Sequence, residues 1–222
     1  LRVLITGDIH NDFHKLNTII NHKNPELVIC CGDFGYWPNV PKFEKLENIK
    51  PNKSIIRWID GNHEDHWSLK NRLSDEIVPN VIYMPRGSTY TLPDGRTMLF
   101  MGGGDSIDKN YRKLGVDWFP EEIITQKDIM NLPDIKIDIV ISHTCPNEIK
   151  DKLLHLNPLK KYDPSNDALS YILNKYNPDM WFLGHWHNFV QGTHNKTKWW
   201  VLSHPNEGSR WWIWLPERTR NG

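Results

Sequence analysis

Aspartate, histidine and asparagine recur in short clusters, each behind an apolar run: Gly7-Asp8-Ile9-His10, Gly32-Asp33, Gly61-Asn62-His63-Glu64, Ser142-His143 and Gly184-His185-Trp186-His187. Carboxylate, imidazole and amide donors without paired thiols suit two divalent cations such as Mn, Fe or Zn. They do not suit a Cys-rich structural zinc. In Asp8-x-His10 and His185-x-His187, an extended backbone would turn both outer side chains to one face. The glycines ahead of the ligand-type residues read as sharp turns that aim the donors at a shared centre.

Positioning these clusters together requires strands that end at one edge. Short apolar runs predict strands at 2–6, 27–31, 54–59, 137–142 and 179–183. Helical spacing of apolar residues predicts helices at 12–22, 147–156 and 165–176, and a short one at 41–48. The middle reads as short strands at 80–84, 88–92 and 97–101, divided by the turn signals Pro85-Arg86-Gly87 and Pro93-Asp94-Gly95. Polar loop and helix follow at 105–116 and 121–131, and strands at 189–193, 198–202 and 210–215 alternate toward the end. The expected fold class is α/β, a two-sheet mixed β-sandwich flanked by helices, in one domain over 1–222. In open α/β sheets, sites gather at the carboxyl ends of the strands, so distant clusters converge there.

Composition narrows the partners. The chain has 222 residues, 27 Lys plus Arg and 27 Asp plus Glu, so its formal charge is zero. That balance argues against bulk attraction to nucleic acid or to an anionic membrane. No segment approaches the ~20 apolar residues of a membrane span. The first residues lack the pattern of a secretory signal. Adjacent Cys30 and Cys31 and distant Cys145 have no framework spacing and read as reduced, so a cytoplasmic location is expected. The 11 histidines and 11 tryptophans stand out. The histidines point to metal or acid–base chemistry.

The order D-x-H, G-D, G-N-H-E, H, G-H-x-H resembles the calcineurin-like metallophosphoesterase superfamily, over residues 7 to 187. The resemblance implies that Asp8, His10 and His187 hold one metal, that Asn62, His143 and His185 hold a second, and that Asp33 bridges both. Mn, Fe, Zn or Ni would serve, with Mn the choice in vitro. The implied reaction is hydrolysis of a phosphoester by a hydroxide shared between the cations. His63 would be the general acid at the leaving group, with Glu64 or Asp65 orienting it. The second block, Gly32-Asp33-Phe34-Gly35, lacks the Asp-Arg-Gly of Ser/Thr protein phosphatases, which disfavours a protein substrate.

A small phosphomonoester, a nucleotide or a short phosphodiester is the expected substrate. A nucleic-acid-processing diesterase and a non-catalytic metal-bearing scaffold that binds a protein are the alternatives. Gly102-Gly103-Gly104-Asp105-Ser106-Ile107-Asp108-Lys109 more loosely resembles a segment of small phage and bacterial members. It makes Asp105 and Arg112 candidate substrate contacts beside Asn62, Trp37 and Trp186. Trp37 is placed to stack on a base or aryl group. Trp58, Trp181 and Trp199 are expected in the core. The terminal aromatic strand with Trp211, Trp212 and Trp214 is expected to pack in the core or against a second copy. Most histidines outside the motifs, His204 among them, read as solvated, with His66 the best placed for a secondary role.

Overall fold

Strands buried on both faces need mostly apolar residues, and runs such as Leu27–Cys30 and Met180–Leu183 are apolar throughout. In a computed structural model, described over residues 1–207 and 210–218, the first sheet is built on β1 (Val3–Thr6), β2 (Leu27–Cys30), β3 (Ile55–Trp58) and β5 (Val81–Tyr83). These four run parallel in that order, with β4 (Glu76–Val78) antiparallel beside β5 and β12 (Trp212–Trp214) antiparallel beside β1. The second sheet repeats the plan. Parallel β7 (Thr97–Met101), β8 (Ile139–Ser142), β9 (Met180–Leu183) and β11 (Thr197–Val201) are flanked by antiparallel β6 (Thr89–Thr91) and β10 (Val190–His194).

Alternation along the strands sorts their side chains into three packed layers. Val3, Ile5 and Ile29 of the first sheet meet Phe100, Ile141 and Phe182 of the second between the sheets. On the outer face of the first sheet, Leu4, Val28 and Trp58 pack against Phe13, Leu16 and Ile20 of α1 (Phe13–Lys23). On the outer face of the second sheet, Val140, Trp181 and Leu183 pack against α4 (Asn147–Leu153) and α5 (Ser165–Tyr176). Each such apolar side chain contributes about 1.5–3 kcal/mol by leaving water. Helix, sheet, sheet, helix is the two-sheet sandwich expected from the sequence. Trp58, Trp181 and Trp199 are buried in it as expected. The aromatic β12 is an edge strand, its Trp212 and Trp214 half-buried beneath Lys23 and Arg2. The last four positions of the expected domain, 219–222, lie outside the described residues.

Two expected helices are curtailed, and the causes are side chains from elsewhere. The 41–48 stretch keeps only a 3-10 turn over Leu46–Asn48. Asn11 bonds the Glu44 N–H and carbonyl, which removes both from a helical ladder. The 121–131 stretch divides into a 3-10 turn, Pro120–Glu122, and a short α3, Gln126–Met130. Arg86 takes the carbonyls of Glu121, Glu122 and Ile123, at 2.7–3.1 Å, between the two pieces. A short α2, His66–Lys70, and β4 were not expected. Asp65 begins α2 by accepting the Ser68 N–H at 2.9 Å.

Candidate metal centre

The loops that leave β1, β2, β3, β8 and β9 bring all seven expected ligands to one edge of the two sheets. The expected extended geometry is not how they get there. His10, Asp33, His185 and His187 all have left-handed backbones, with φ of 48°, 43°, 65° and 52°. The chain doubles back at each, and Ile9 and Trp186 are turned into the interior. Two of the glycines also serve differently from the expectation. Gly61 and Gly184 have ordinary φ, but a Cβ there would collide with the carboxylates of Asp33 and Asp8. They make room for the ligands rather than supply a turn.

The donors form two groups that share Asp33. In the first, ligand atoms of Asp8, His10, Asp33 and His187 all lie within 4.8 Å of one another. His187 Nε2 stands 2.9 Å from Asp8 Oδ2 and 3.1 Å from His10 Nε2. In the second, His143 Nε2 lies 3.0 Å from Asn62 Oδ1 and 3.1 Å from His185 Nδ1. Asp33 Oδ2 faces His10 at 3.4 Å, and Oδ1 faces His143 at 3.4 Å. One carboxylate therefore presents an oxygen to each group.

Outer partners fix which nitrogen faces inward. His143 Nδ1 donates to the Cys31 carbonyl at 2.9 Å, and His187 Nδ1 donates to Glu207 at 2.7 Å. With Nδ1 so engaged, Nε2 is the nitrogen that a cation would take in place of a proton, the arrangement that raises a ligand's basicity. The Asn62 amide is oriented too. Its Nδ2 donates to Ser106 Oγ at 3.1 Å, and that hydroxyl donates to Glu122 at 2.9 Å, so Oδ1 is left for the site.

The electrostatics call for positive charge. Burial disfavours the Asp33 and Asp8 anions, yet neighbouring histidines hold both carboxyls below the usual range. Burial also works against a charged His143, but Asp33 and Asp8 outweigh it and push its pKa up to about 10. Donor atoms converging on two points around buried carboxylates fit two divalent cations, in hard-to-borderline donor sets.

His63 is next to the ligands but is not one of them. Burial pushes its imidazole down to about 4, Asp33 opposes that, and Arg112 adds to it. Arg112 Nη2 lies 2.9–3.0 Å from the ring nitrogens, and its Nε holds Asp108 at 2.9 Å. Glu64 and Asp65 do not orient the ring as expected. Glu64 is buried and accepts the N–H groups of Gly35 and Gly61 at 3.1 and 2.8 Å, tying together the loops that carry Asp33 and Asn62. Asp65 caps α2. His66 is buried and bonds the Gly61 carbonyl at 3.1 Å, the secondary role expected of it.

The metal cleft has a volume of about 390 Å³, and Arg112, Lys160 and Trp186 line it beside the ligands. A second cavity of about 340 Å³ shares His63 and Arg112 with it and is walled by Trp37, Val40 and Phe43. Trp37 is in that wall, but Phe43 already stacks on its indole at 5.3 Å and its Nε1 donates to the His63 carbonyl at 3.0 Å. Asp105 is turned to Lys109, with both oxygens at 2.8 Å from Nζ, and is not a cleft residue. His204 is buried, its ring 5.0 Å from that of His10, which corrects its reading as solvated. Ser106, Glu122, Lys160 and Glu207 were missed. Only Ser106 had a signal, since it belongs to the Gly102–Lys109 segment whose Asp105 drew the attention.

Strand-end aspartates and histidines around a shared carboxylate, at the edge of a two-sheet sandwich, define a metallophosphoesterase. A calcineurin-like phosphoesterase profile matches residues 1–189, and the chain belongs to that family. It is 23% identical over 244 positions to a lariat debranching enzyme of Gallus gallus, covering 89% of this chain and 45% of that protein. It is 26% identical over 196 positions to a mitochondrial radical S-adenosyl methionine domain-containing protein 1 of Dictyostelium discoideum, covering 85% and 39%. The chain thus spans less than half of either relative. The solved structure of a phosphopantetheinyl hydrolase from Mycobacterium tuberculosis shares the fold, with a TM-score of 0.57 at 13% identity, over 100% of this chain and 98% of that one. Among the described residues, no helix is long and apolar enough to cross a membrane.

Proposed function

We propose that the chain is a binuclear metal-dependent phosphoesterase acting on a small phosphoester. The observation that carries this is the division of Asp33 between two donor groups, Asp8, His10 and His187 on one oxygen and Asn62, His143 and His185 on the other. Two divalent cations held there would lower the pKa of water and neutralise charge on the phosphoryl oxygens. Glu207 and the Cys31 carbonyl keep the imidazole Nε2 atoms directed inward. His63, on the wall between cleft and cavity, is placed to give a proton to the leaving oxygen. A phosphate dianion beside it would raise its proton affinity. Arg112 stands next to both and would hold the substrate against that wall.

Cavities of about 340 and 390 Å³ suit a small ester. The lariat debranching relative keeps a short nucleic-acid diester within the range of substrates.

The test is turnover of p-nitrophenyl phosphate and bis-p-nitrophenyl phosphate with added Mn²⁺. Hydrolysis of at least one, lost in Asp33→Asn and reduced in His63→Ala, is expected. Turnover of neither, or turnover indifferent to Asp33→Asn, would sink the reading.

A further inference from the structure

Lys160 is a cation that nothing in the ligand scheme requires. It belongs to a 3-10 turn, Pro158–Lys161, well separated in sequence from every ligand cluster. Its ammonium nonetheless reaches the wall of the metal cleft, beside Trp186 and His185. Nζ donates to the His185 carbonyl at 2.6 Å. An ammonium has three N–H groups, so two are left. Among the described residues no carboxylate lies within ion-pair distance of it. Arg112, the other cation of the cleft, is already matched by Asp108 at 2.9 Å. The Trp186 ring, 5.8 Å away, and the longer-range pull of Asp8, Asp33 and Asp163 offset part of the desolvation of Lys160, and a ligand anion in direct contact would offset more.

The chemistry of that anion follows from counting oxygens. A phosphodiester has two non-ester oxygens, and two cations in the adjoining donor groups would engage both. A phosphomonoester has a third, carrying most of a further negative charge at neutral pH. Resting on the phosphoesterase reading above, we propose that Lys160 binds this third oxygen and makes the cleft selective for phosphomonoesters over phosphodiesters.

The experiment uses the Mn²⁺-loaded full chain, with Lys160→Met, Lys160→Gln and Lys160→Arg. Inorganic phosphate binding is followed by calorimetry, and kcat/KM is measured on the p-nitrophenyl monoester and diester. Charge-assisted hydrogen bonds of this kind are worth about 10- to 100-fold in affinity. Lys160→Met is expected to weaken phosphate by about that factor and to shift the monoester-to-diester ratio toward the diester by about 10-fold. Lys160→Arg should restore most of both. Lys160→Gln, which keeps an N–H for the His185 carbonyl, should behave as Lys160→Met does. Unchanged phosphate affinity in Lys160→Met, or equal losses on the two esters, would overturn the proposal, since equal losses mean that Lys160 acts through His185. Should the wild-type protein cleave neither ester, the phosphoesterase reading falls, and the phosphate titration still decides whether Lys160 binds phosphate.

Discussion

Ser106 Oγ accepts the Asn62 side-chain N–H at 3.1 Å, 44 residues away in sequence. The contact decides which end of the Asn62 amide faces the metal site. Removing it in Ser106→Ala leaves the amide free to turn its N–H groups inward, where no cation can use them. Outer partners of ligands are worth about 10–100-fold in metal affinity. Calorimetric titration with Mn²⁺ should therefore show one of two ions weakened by about that factor in Ser106→Ala. The other ion should be little changed.

His10 and His187 point Nε2 atoms at each other, 3.1 Å apart, beside the carboxylates of Asp8 and Asp33. A cation between them would relieve that crowding, so binding should stabilise the fold. With free Mn²⁺ at 100 times its dissociation constant, the gain is about 2.7 kcal/mol. Thermal melts should rise with Mn²⁺ and fall back with a chelator, and His187→Ala should blunt the rise. A melting temperature indifferent to Mn²⁺ would contradict the assignment.

Arg86 and Asp60 form a buried pair at 2.6 Å, and Arg86 also bonds three carbonyls of the 121–123 segment. Burial disfavours the Asp60 anion, and Arg86 more than compensates, holding its carboxyl below the usual range. In Arg86→Met the carboxylate is buried without its partner. The expected loss is about 3–5 kcal/mol in urea denaturation. Asp60→Asn combined with Arg86→Met should lose less than Arg86→Met alone.

Glu122 gives the fold a pH dependence of known sign. Burial lifts its carboxyl from 4.5 to about 7, with hydrogen bonds from Ser106 and Trp118 opposing. Between those values the folded chain keeps a proton that the unfolded chain has released. The contribution is present in full below about 4.5 and disappears as pH rises through about 7, by up to about 3 kcal/mol. His63 and His66, held neutral by burial, pull the other way over part of that window, so the Glu122 contribution is read as a difference: in chelator, Glu122→Gln should gain stability relative to wild type as pH rises from about 4.5 to about 7. A slope unchanged in Glu122→Gln would mean that the proton sits elsewhere.

What could be read in the chain depended on whether the signal was local. The central strands are mostly apolar because both faces are largely buried, and the loops at their ends carry the ligands, so strand, turn and donor appeared together. The 41–48 stretch misled because its helical bonds are taken by Asn11, 33 residues back. The 121–131 stretch misled because Arg86 claims its carbonyls. Glu122, Lys160 and His204 had no local pattern at all, since each meets the site only through folding. Asp105 and Ser106 are neighbours in one glycine-rich turn, and the sequence could not say which of them faces the ligands.

The left-handed backbone at His10, Asp33, His185 and His187 has a bearing on the stability of the fold. Side chains other than glycine give up roughly 1 kcal/mol or more in that conformation. Exchange of any of the three histidines for glycine would relax the backbone while abolishing a donor. For the more exposed His10 and His187, the backbone strain is therefore a cost the fold carries for the sake of a donor. The four left-handed residues gathered at one sheet edge thus tie local backbone strain to the donors they present.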